Sequence, residues 1–114
     1  MSTGIVSRLT SWVQGHSADL REQGIQIEEQ FPDGASSAPW KATVGLSFKG
    51  IVVTYTVWER TIFQTSLIVL NAQTKRTVFF KDSEPETPDA VDNDLADVVK
   101  KLTSGEYGRM SSSA

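Results

Sequence analysis

The hydrophobic residues at the start of the chain recur with the period of an α-helix. From Ile5 to Leu20 they stand three or four positions apart, so they share one face of a helix. Gly24 follows them and is suited to a left-handed helix stop. The pattern therefore predicts an opening helix that ends at Gly24, with Ser2 or Thr3 as its N-cap.

The middle of the chain alternates between apolar and polar residues, which is the period of a β-strand. This alternation and the β-branched composition predict strands over residues 25–31, 40–49, 51–59, 62–70 and 76–81. Two of the connections, Lys49-Gly50 and the segment from Asn71 to Thr74, are short and rich in turn-forming residues. Because short connections join neighbouring antiparallel strands, we expect a meander.

A second helical pattern follows an acidic linker. Its apolar positions are Val91, Leu95, Val98, Val99 and Leu102. Thr87 and Pro88 are suited to the N-cap and the first helical position, and Gly105 is suited to the stop. Residues 106–114 have little to bury, and we predict that they form a flexible tail.

Together these elements predict a two-layer α+β domain over residues 1–105. It contains an N-terminal helix, a four- or five-stranded antiparallel meander sheet and a C-terminal helix. Because both helices are amphipathic, the simplest arrangement places them on the same face of the sheet. The other face is then left for solvent or for a partner.

The composition narrows the chemistry that the chain can perform. It has no cysteine and one histidine, which excludes disulfides, thiolate nucleophiles and histidine-rich metal sites. No apolar run is long enough to span a bilayer, and the first residues lack the pattern of a signal peptide. We therefore expect a cytoplasmic protein that does not bind membranes.

Charge is distributed unevenly along the chain. The formal net charge is −3, which disfavours binding to nucleic acid through phosphate neutralisation. Seven of the 14 acidic residues lie between Asp82 and Asp97, and no basic residue does. A solvated helix surface explains such a segment, and so does a negative patch that steers a basic partner; both explanations stay open at this point.

The sequence contains no recognisable catalytic motif. Neither a phosphate-binding glycine loop nor a G-x-S-x-G nucleophile motif occurs. His16 falls near the apolar stripe of the first helix, where a lone histidine is more often structural than catalytic. We predict a protein that is not an enzyme and that holds no metal or cofactor.

Trp58 is the most distinctive candidate for a binding residue. If Tyr55 and Val57 face the helices, strand alternation turns Trp58 to the opposite face of the sheet. An exposed tryptophan between Glu59 and Arg60 is a typical anchor for protein recognition. The alternative is that this face is covered too and that Trp58 belongs to the core.

Several hydrophobic segments stand in an order known from one protein family. They are Ser11-Trp12-Val13, Val57-Trp58-Glu59-Arg60, the run from Ile68 to Thr74, and Val78-Phe79-Phe80 before the acidic linker. In this order the chain resembles, over residues 5–103, the TriTu-type immunity proteins of bacterial polymorphic toxin systems. Two positions depart from the family pattern, because Lys75 replaces a glycine after the turn threonine and Arg60 replaces a small residue.

The resemblance implies a non-enzymatic immunity protein that binds and neutralises a cognate toxin domain. An acidic chain without a catalytic motif is compatible with that role, because acidic groups speed association with a basic partner. We expect the toxin to contact the open sheet face and the acidic rim. The residues predicted to bind it are Trp58, Glu59, Asp89, Asp92 and Asp94.

Two other functions remain open on the sequence alone. A small acidic secretion chaperone, which binds an effector protein and is usually dimeric, has the same size and fold class. A small enzyme or ligand-binding cup needs a deep pocket, which His16, Trp40 or Tyr55 would line. The sequence does not determine whether the chain is a monomer or a homodimer.

Overall fold

The computed structural model describes residues 4–30, 41–59 and 61–112. In chain order its elements are α1 (Ile5–Glu22), β1 (Gln26–Gln30), β2 (Lys41–Phe48), β3 (Ile51–Glu59), β4 (Phe63–Asn71), β5 (Thr77–Ser83), α2 (Ala90–Thr103) and α3 (Glu106–Ser112). The strands form one antiparallel sheet in the order β1-β2-β3-β4-β5. The predicted α+β fold with a meander sheet is therefore confirmed. Trp40 and Arg60, which figured in the predictions, lie outside the described residues, as do the N-cap candidates Ser2 and Thr3.

Two tight turns determine how the central strands pair. Lys49 and Gly50 connect β2 to β3, and both have positive φ angles, 49° and 83°. This geometry matches the right-handed twist of the strands that a two-residue hairpin joins. Between β4 and β5, the Asn71 side-chain oxygen accepts the backbone N–H groups of Gln73 and Thr74 at 2.9 and 3.1 Å. Each turn thus brings its two strands into register.

All described helices lie on one face of the sheet, which we call the inner face. α1 packs against β1, β2 and β3, α3 packs against β4 and β5, and α2 contacts both other helices. The inner positions of the central strands are buried, and they include Val44, Val53, Tyr55, Val57, Leu67 and Val69. The two-layer arrangement is therefore confirmed. The opposite face, which we call the outer face, is half-buried along β3.

The start of α2 differs from the prediction by a few residues. The first helical residue is Ala90, and its N-cap, Asp89, makes no side-chain capping bond. The backbone N–H of Ala90 bonds to the carbonyl of Thr87, and that of Val91 bonds to the carbonyl of Pro88. These bonds span three residues, so a tight turn precedes the regular helix. Thr87 and Pro88, which were predicted to begin the helix, therefore belong to this tight turn, and α2 begins after it.

Residues 106–112 form the helix α3 in place of the predicted flexible tail. Gly105 has a φ of 82° and turns the chain back toward the sheet. Tyr107 is then 1% exposed, and its ring lies 6.4 Å from that of Phe79 on β5. Burial of this ring contributes a large apolar area to the packing of α3 against the sheet. Residues 113 and 114 lie outside the described chain.

Candidate functional site

Trp58 lies on the outer face, as strand alternation predicts. It stands near the end of β3, opposite Lys41 on β2 and Gln64 on β4. Its neighbour Val57 is buried on the inner face, whereas Trp58 itself is half-buried. The Lys41 ammonium lies 6.0 Å from the centre of the indole ring, within the range of a cation–π contact. The indole therefore presents part of its surface on the side of the sheet away from the helices.

A depression on the outer face runs beside Trp58. We call it the Trp58 groove, and its volume is about 610 Å³. Trp58 on β3 and Phe80 on β5 form two of its walls, and the smaller side chain of Ser66 on β4 lies between them in the register of the sheet. The other lining residues are Gln64, Thr65, Asp82, Ser83 and Glu84. A large aromatic residue on each side of a small polar residue thus creates a concave surface.

A second depression continues the groove past the ends of the strands. It has a volume of about 340 Å³, and Glu84 lines both depressions. Ile62 and Pro85 supply apolar surface to it. Ile62 is 50% exposed and Phe80 is 57% exposed. In the described part of the chain, they are the large hydrophobic side chains that are mostly open to solvent. The most exposed apolar side chains therefore line two neighbouring depressions that share Glu84.

The predicted binding residue Glu59 points to the inner side of the sheet. Its carboxylate accepts the backbone N–H of Val6 at 3.0 Å, at the start of α1. The N-cap of α1 is Gly4, which has no side chain of its own to make this bond, and a Cβ at that position would collide with the Glu59 carboxylate. A negative charge at a helix N-terminus is also favourable to the helix dipole. Glu59 therefore caps α1 from across the fold.

Asp89 and Asp92, two further predicted binding residues, are paired with Arg8 of α1. The Asp89 carboxylate lies 3.0 Å from the Arg8 guanidinium, and Asp92 accepts the Arg8 Nε–H at 2.9 Å and a second bond from its Nη2. Bonding to Asp92 is the main reason that the pKa of Arg8 is raised. These contacts join the N-terminal parts of α1 and α2.

Asp94, the last predicted binding residue, is bonded to the inner face of the sheet. It accepts a hydrogen bond from the Tyr55 hydroxyl at 2.7 Å, and Tyr55 is buried at the centre of the inner face. Burial, followed by the interaction with Asp94, raises the pKa of Tyr55 far above its ordinary value. The phenol therefore stays protonated and connects α2 to β3, and it is not available as a base.

The structure separates the predicted site residues into two groups. Trp58 lines the groove, whereas Glu59, Asp89, Asp92 and Asp94 make contacts within the fold. The groove also contains residues that sequence analysis missed, chiefly Phe80, Ile62, Asp82 and Glu84. The pair Phe79-Phe80 could have indicated Phe80, because adjacent residues on a strand face opposite sides and one of the two rings must lie on the outer face.

His16 and Tyr55, two of the residues predicted to line an enzymatic cup, lie apart, and His16 lines none of the cavities found among the described residues. His16 is exposed, stacks on Trp12 with 4.4 Å between ring centres, and bonds through Nδ1 to the Trp12 carbonyl at 2.8 Å. The cavity beside Tyr55 measures about 80 Å³, and Trp40 lies outside the described residues. Within residues 4–30, 41–59 and 61–112, no group of three or more histidine or acidic side chains is placed to hold a metal ion.

The helices show no membrane-spanning character either. In the part of the chain that the structure describes, none is both long enough and apolar enough to cross a bilayer. Comparison of the chain with protein-family models, with curated proteins and with solved structures gave no match. The groove and the residues around it are therefore the features of the molecule that bear on its function.

Proposed function

We propose that this chain is a non-enzymatic immunity protein that acts in the cytoplasm and neutralises a cognate toxin domain by binding it. The toxin contacts the outer face of the sheet, and Trp58 is the main anchor. The observation that carries the proposal is the Trp58 groove, in which an indole and a phenyl ring flank a small polar residue on a face that no described helix covers. Concave surfaces with aromatic walls are the usual location of binding hot spots.

The rigidity of the surrounding fold supports this role. Trp58 lies between two inner-face contacts that hold β3, because Tyr55 is bonded to Asp94 and Glu59 caps α1. Its strand is also paired on both sides, with β2 and with β4. An anchor on such a strand loses little conformational freedom when a partner binds, and so more of its contact energy appears as affinity.

The chemistry of the groove supports binding rather than catalysis. Among the described residues that line it there is no histidine, lysine or arginine, and its carboxylates Asp82 and Glu84 are exposed to water. A general acid or base usually lies in a cleft that shields it from water. Asp82 and Glu84 are exposed instead, which favours a surface that recognises another protein.

The test is a binding and protection experiment with the toxin domain encoded beside the gene for this chain. Trp58→Ala is expected to weaken binding about 30-fold or more, because truncating an aromatic hot spot costs about 2 kcal/mol. The melting temperature should stay close to that of the parent protein. Cells that produce the toxin should survive with the parent protein and die with the variant.

Val52→Ala is the matched control. Val52 is half-buried on the same strand and the same face but does not line the groove. This variant should bind the toxin as the parent protein does. Equal affinity of Trp58→Ala and the parent protein, or failure of the parent protein to protect cells, would contradict the proposal.

A secretion chaperone is the second candidate, and one observation favours it. Phe80 is exposed on β5, an edge strand of the sheet, and dimeric proteins often cover such surfaces with a second copy. Light scattering distinguishes the two functions. A mass of two chains favours the chaperone, whereas a mass of one chain favours the immunity protein.

A further inference from the structure

The acidic residues beside the groove differ from those on α2 in having no partner within the fold. Asp82 and Glu84 line the Trp58 groove, and Glu86 lines its continuation. All three are exposed, and within the described residues none of them forms an ion pair or a side-chain hydrogen bond. Three carboxylates along two adjoining depressions give this surface a negative potential, so a positive charge from a partner is favourable here.

Apolar surface lies directly beside these charges. Phe80 is followed two residues later by Asp82 on the same face of β5, and Ile62 shares the second depression with Glu84 and Glu86. Exposed large hydrophobic residues are costly in water and often mark an interaction site. The combination of apolar walls and a negative rim selects a partner that has both an apolar side chain and positive charge.

We infer that the groove binds a basic segment of the toxin whose central apolar side chain enters between Trp58 and Phe80. Lysine or arginine residues on either side of that anchor pair with Asp82, Glu84 and Glu86. Because Glu84 lines both depressions, one segment that passes over it can contact all of these residues. This inference rests on the proposed function, because it names the part of the toxin that the same surface recognises.

The indole of Trp58 adds a second source of selectivity for cations. The Lys41 ammonium already lies 6.0 Å from its ring centre, on the β2 side. The opposite side of Trp58 faces the groove, where its neighbour in the register is the uncharged Gln64. A guanidinium from a partner can stack there, because aromatic rings attract cations. An acidic segment would gain neither this contact nor the attraction of the rim.

A synthetic peptide tests the recognition chemistry without the toxin. The probe is an acetylated and amidated heptapeptide with leucine at its centre and lysine and arginine on both sides. Its twin has glutamate in place of every basic residue, and a third peptide has serine in place of leucine. The full chain labelled with ¹⁵N is titrated with each, and Trp58→Phe identifies the indole signal of Trp58.

The basic peptide should shift the signals of Trp58, Ser66, Phe80 and Ile62, and the shifts should weaken as salt is added. The serine peptide should bind more weakly, and the acidic twin should shift none of these signals. Shifts of equal size with the acidic twin, shifts confined to α2, or no shifts at millimolar basic peptide would overturn the inference.

Charge neutralisation in the protein provides the second arm. The site variant combines Asp82→Asn, Glu84→Gln and Glu86→Gln, and its matched control combines Asp19→Asn, Glu22→Gln and Glu28→Gln. The control residues are also exposed, lie away from the groove and change the net charge by the same amount. The site variant should bind the toxin at least about 10-fold more weakly than the control, mainly through slower association.

The outcomes separate this inference from the proposed function. If Trp58→Ala abolishes protection but the site variant and its control bind equally well, the inference fails and the immunity function stands. If the basic peptide occupies the groove but the parent protein does not protect cells, the immunity function fails and the recognition chemistry stands.

Discussion

The two ends of the acidic segment between Asp82 and Asp97 are both rich in carboxylates but differ in what those carboxylates contact. Toward its C-terminal end, Asp89 at the N-cap of α2 and the carboxylates on α2 contact Arg8, Tyr55 and Lys101. Toward its N-terminal end, Asp82, Glu84 and Glu86 lie along an apolar groove and make no such contacts among the described residues. The difference shows that a cluster of charge in a sequence is not one functional unit. Each carboxylate acquires its role from the element that the fold packs against it.

Trp58 and Glu59 show the same contrast between adjacent residues. One side chain faces the groove, and the other caps α1 on the inner face. Strand alternation alone sends neighbours to opposite faces, so a partner cannot use both residues as one surface. Four measurements test whether the side chains inside the fold determine its stability and the residues of the groove do not.

The largest effect is expected for Asp94→Ala. The variant leaves the hydroxyl of Tyr55 buried without its acceptor, and an unsatisfied buried polar group costs about 2 kcal/mol. Urea denaturation followed by circular dichroism measures the loss in the free energy of unfolding. Asp82→Ala is the control from the groove and should change that free energy by less than about 0.5 kcal/mol. Equal effects of the two substitutions would remove the distinction between the two ends.

A smaller effect is expected for Glu59→Ala. Loss of the carboxylate that accepts the Val6 N–H removes the cap of α1, which costs about 1 kcal/mol. Glu28→Ala, at an exposed outer-face position of β1, should be close to neutral. The same denaturation experiment compares the two. If toxin affinity falls more than stability in Glu59→Ala, then Glu59 contributes to binding after all.

The smallest effect at neutral pH is expected for Tyr107→Phe. The Tyr107 hydroxyl is buried, and it has no hydrogen-bond partner in the described part of the chain, so its removal should be neutral or slightly stabilising. Tyr55→Phe loses a hydrogen bond and should cost about 1 kcal/mol. Denaturation at pH 7 compares the two variants. A larger loss for Tyr107→Phe than for Tyr55→Phe would contradict the assignment of partners.

The same variant predicts a change at alkaline pH. Burial, followed by the charges of Asp97 and Glu106, raises the pKa of Tyr107 from 10.0 to about 12. The folded protein therefore favours the neutral phenol. The resulting gain in the free energy of unfolding is complete below pH 10 and is lost as the pH rises toward 12. Between these values the stability of Tyr107→Phe should fall less steeply than that of the parent protein. Parallel curves would show that Tyr107 ionises equally in the folded and unfolded states.

Periodicity in the sequence was sufficient to predict the layers of the fold. The helical stripe that begins at Ile5, the alternation that ends at Trp58 and the stop at Gly105 each depend on local backbone geometry. Such features follow from residues close together in the chain. The helix α3 was missed because its large apolar residues, Tyr107 and Met110, are too few to form a stripe.

The candidate site was less predictable, for a reason seen in the register of the strands. Trp58 could be identified because it is a tryptophan at the end of an alternating strand. Phe80 lines the same groove because of the register between β4 and β5. In that register Ile68 lies opposite Phe80, and Ser66 lies opposite Asp82. The β-bulge between Val69 and Leu70 further shifts the pairing with β5. No periodicity in the sequence encodes distances between residues on three different strands.

The amino-acid sequence by itself determined which residues turn inward, because side-chain direction along a helix or a strand repeats with a short local period. The tertiary structure alone decided which acidic residues have contacts inside the described fold and which do not. Arg8 is separated by more than eighty positions from Asp92, and Val6 by more than fifty from Glu59, yet each pair is in contact. Packing of α1 against β3 and α2 satisfies those carboxylates, and the carboxylates of the groove remain for whatever binds the outer face.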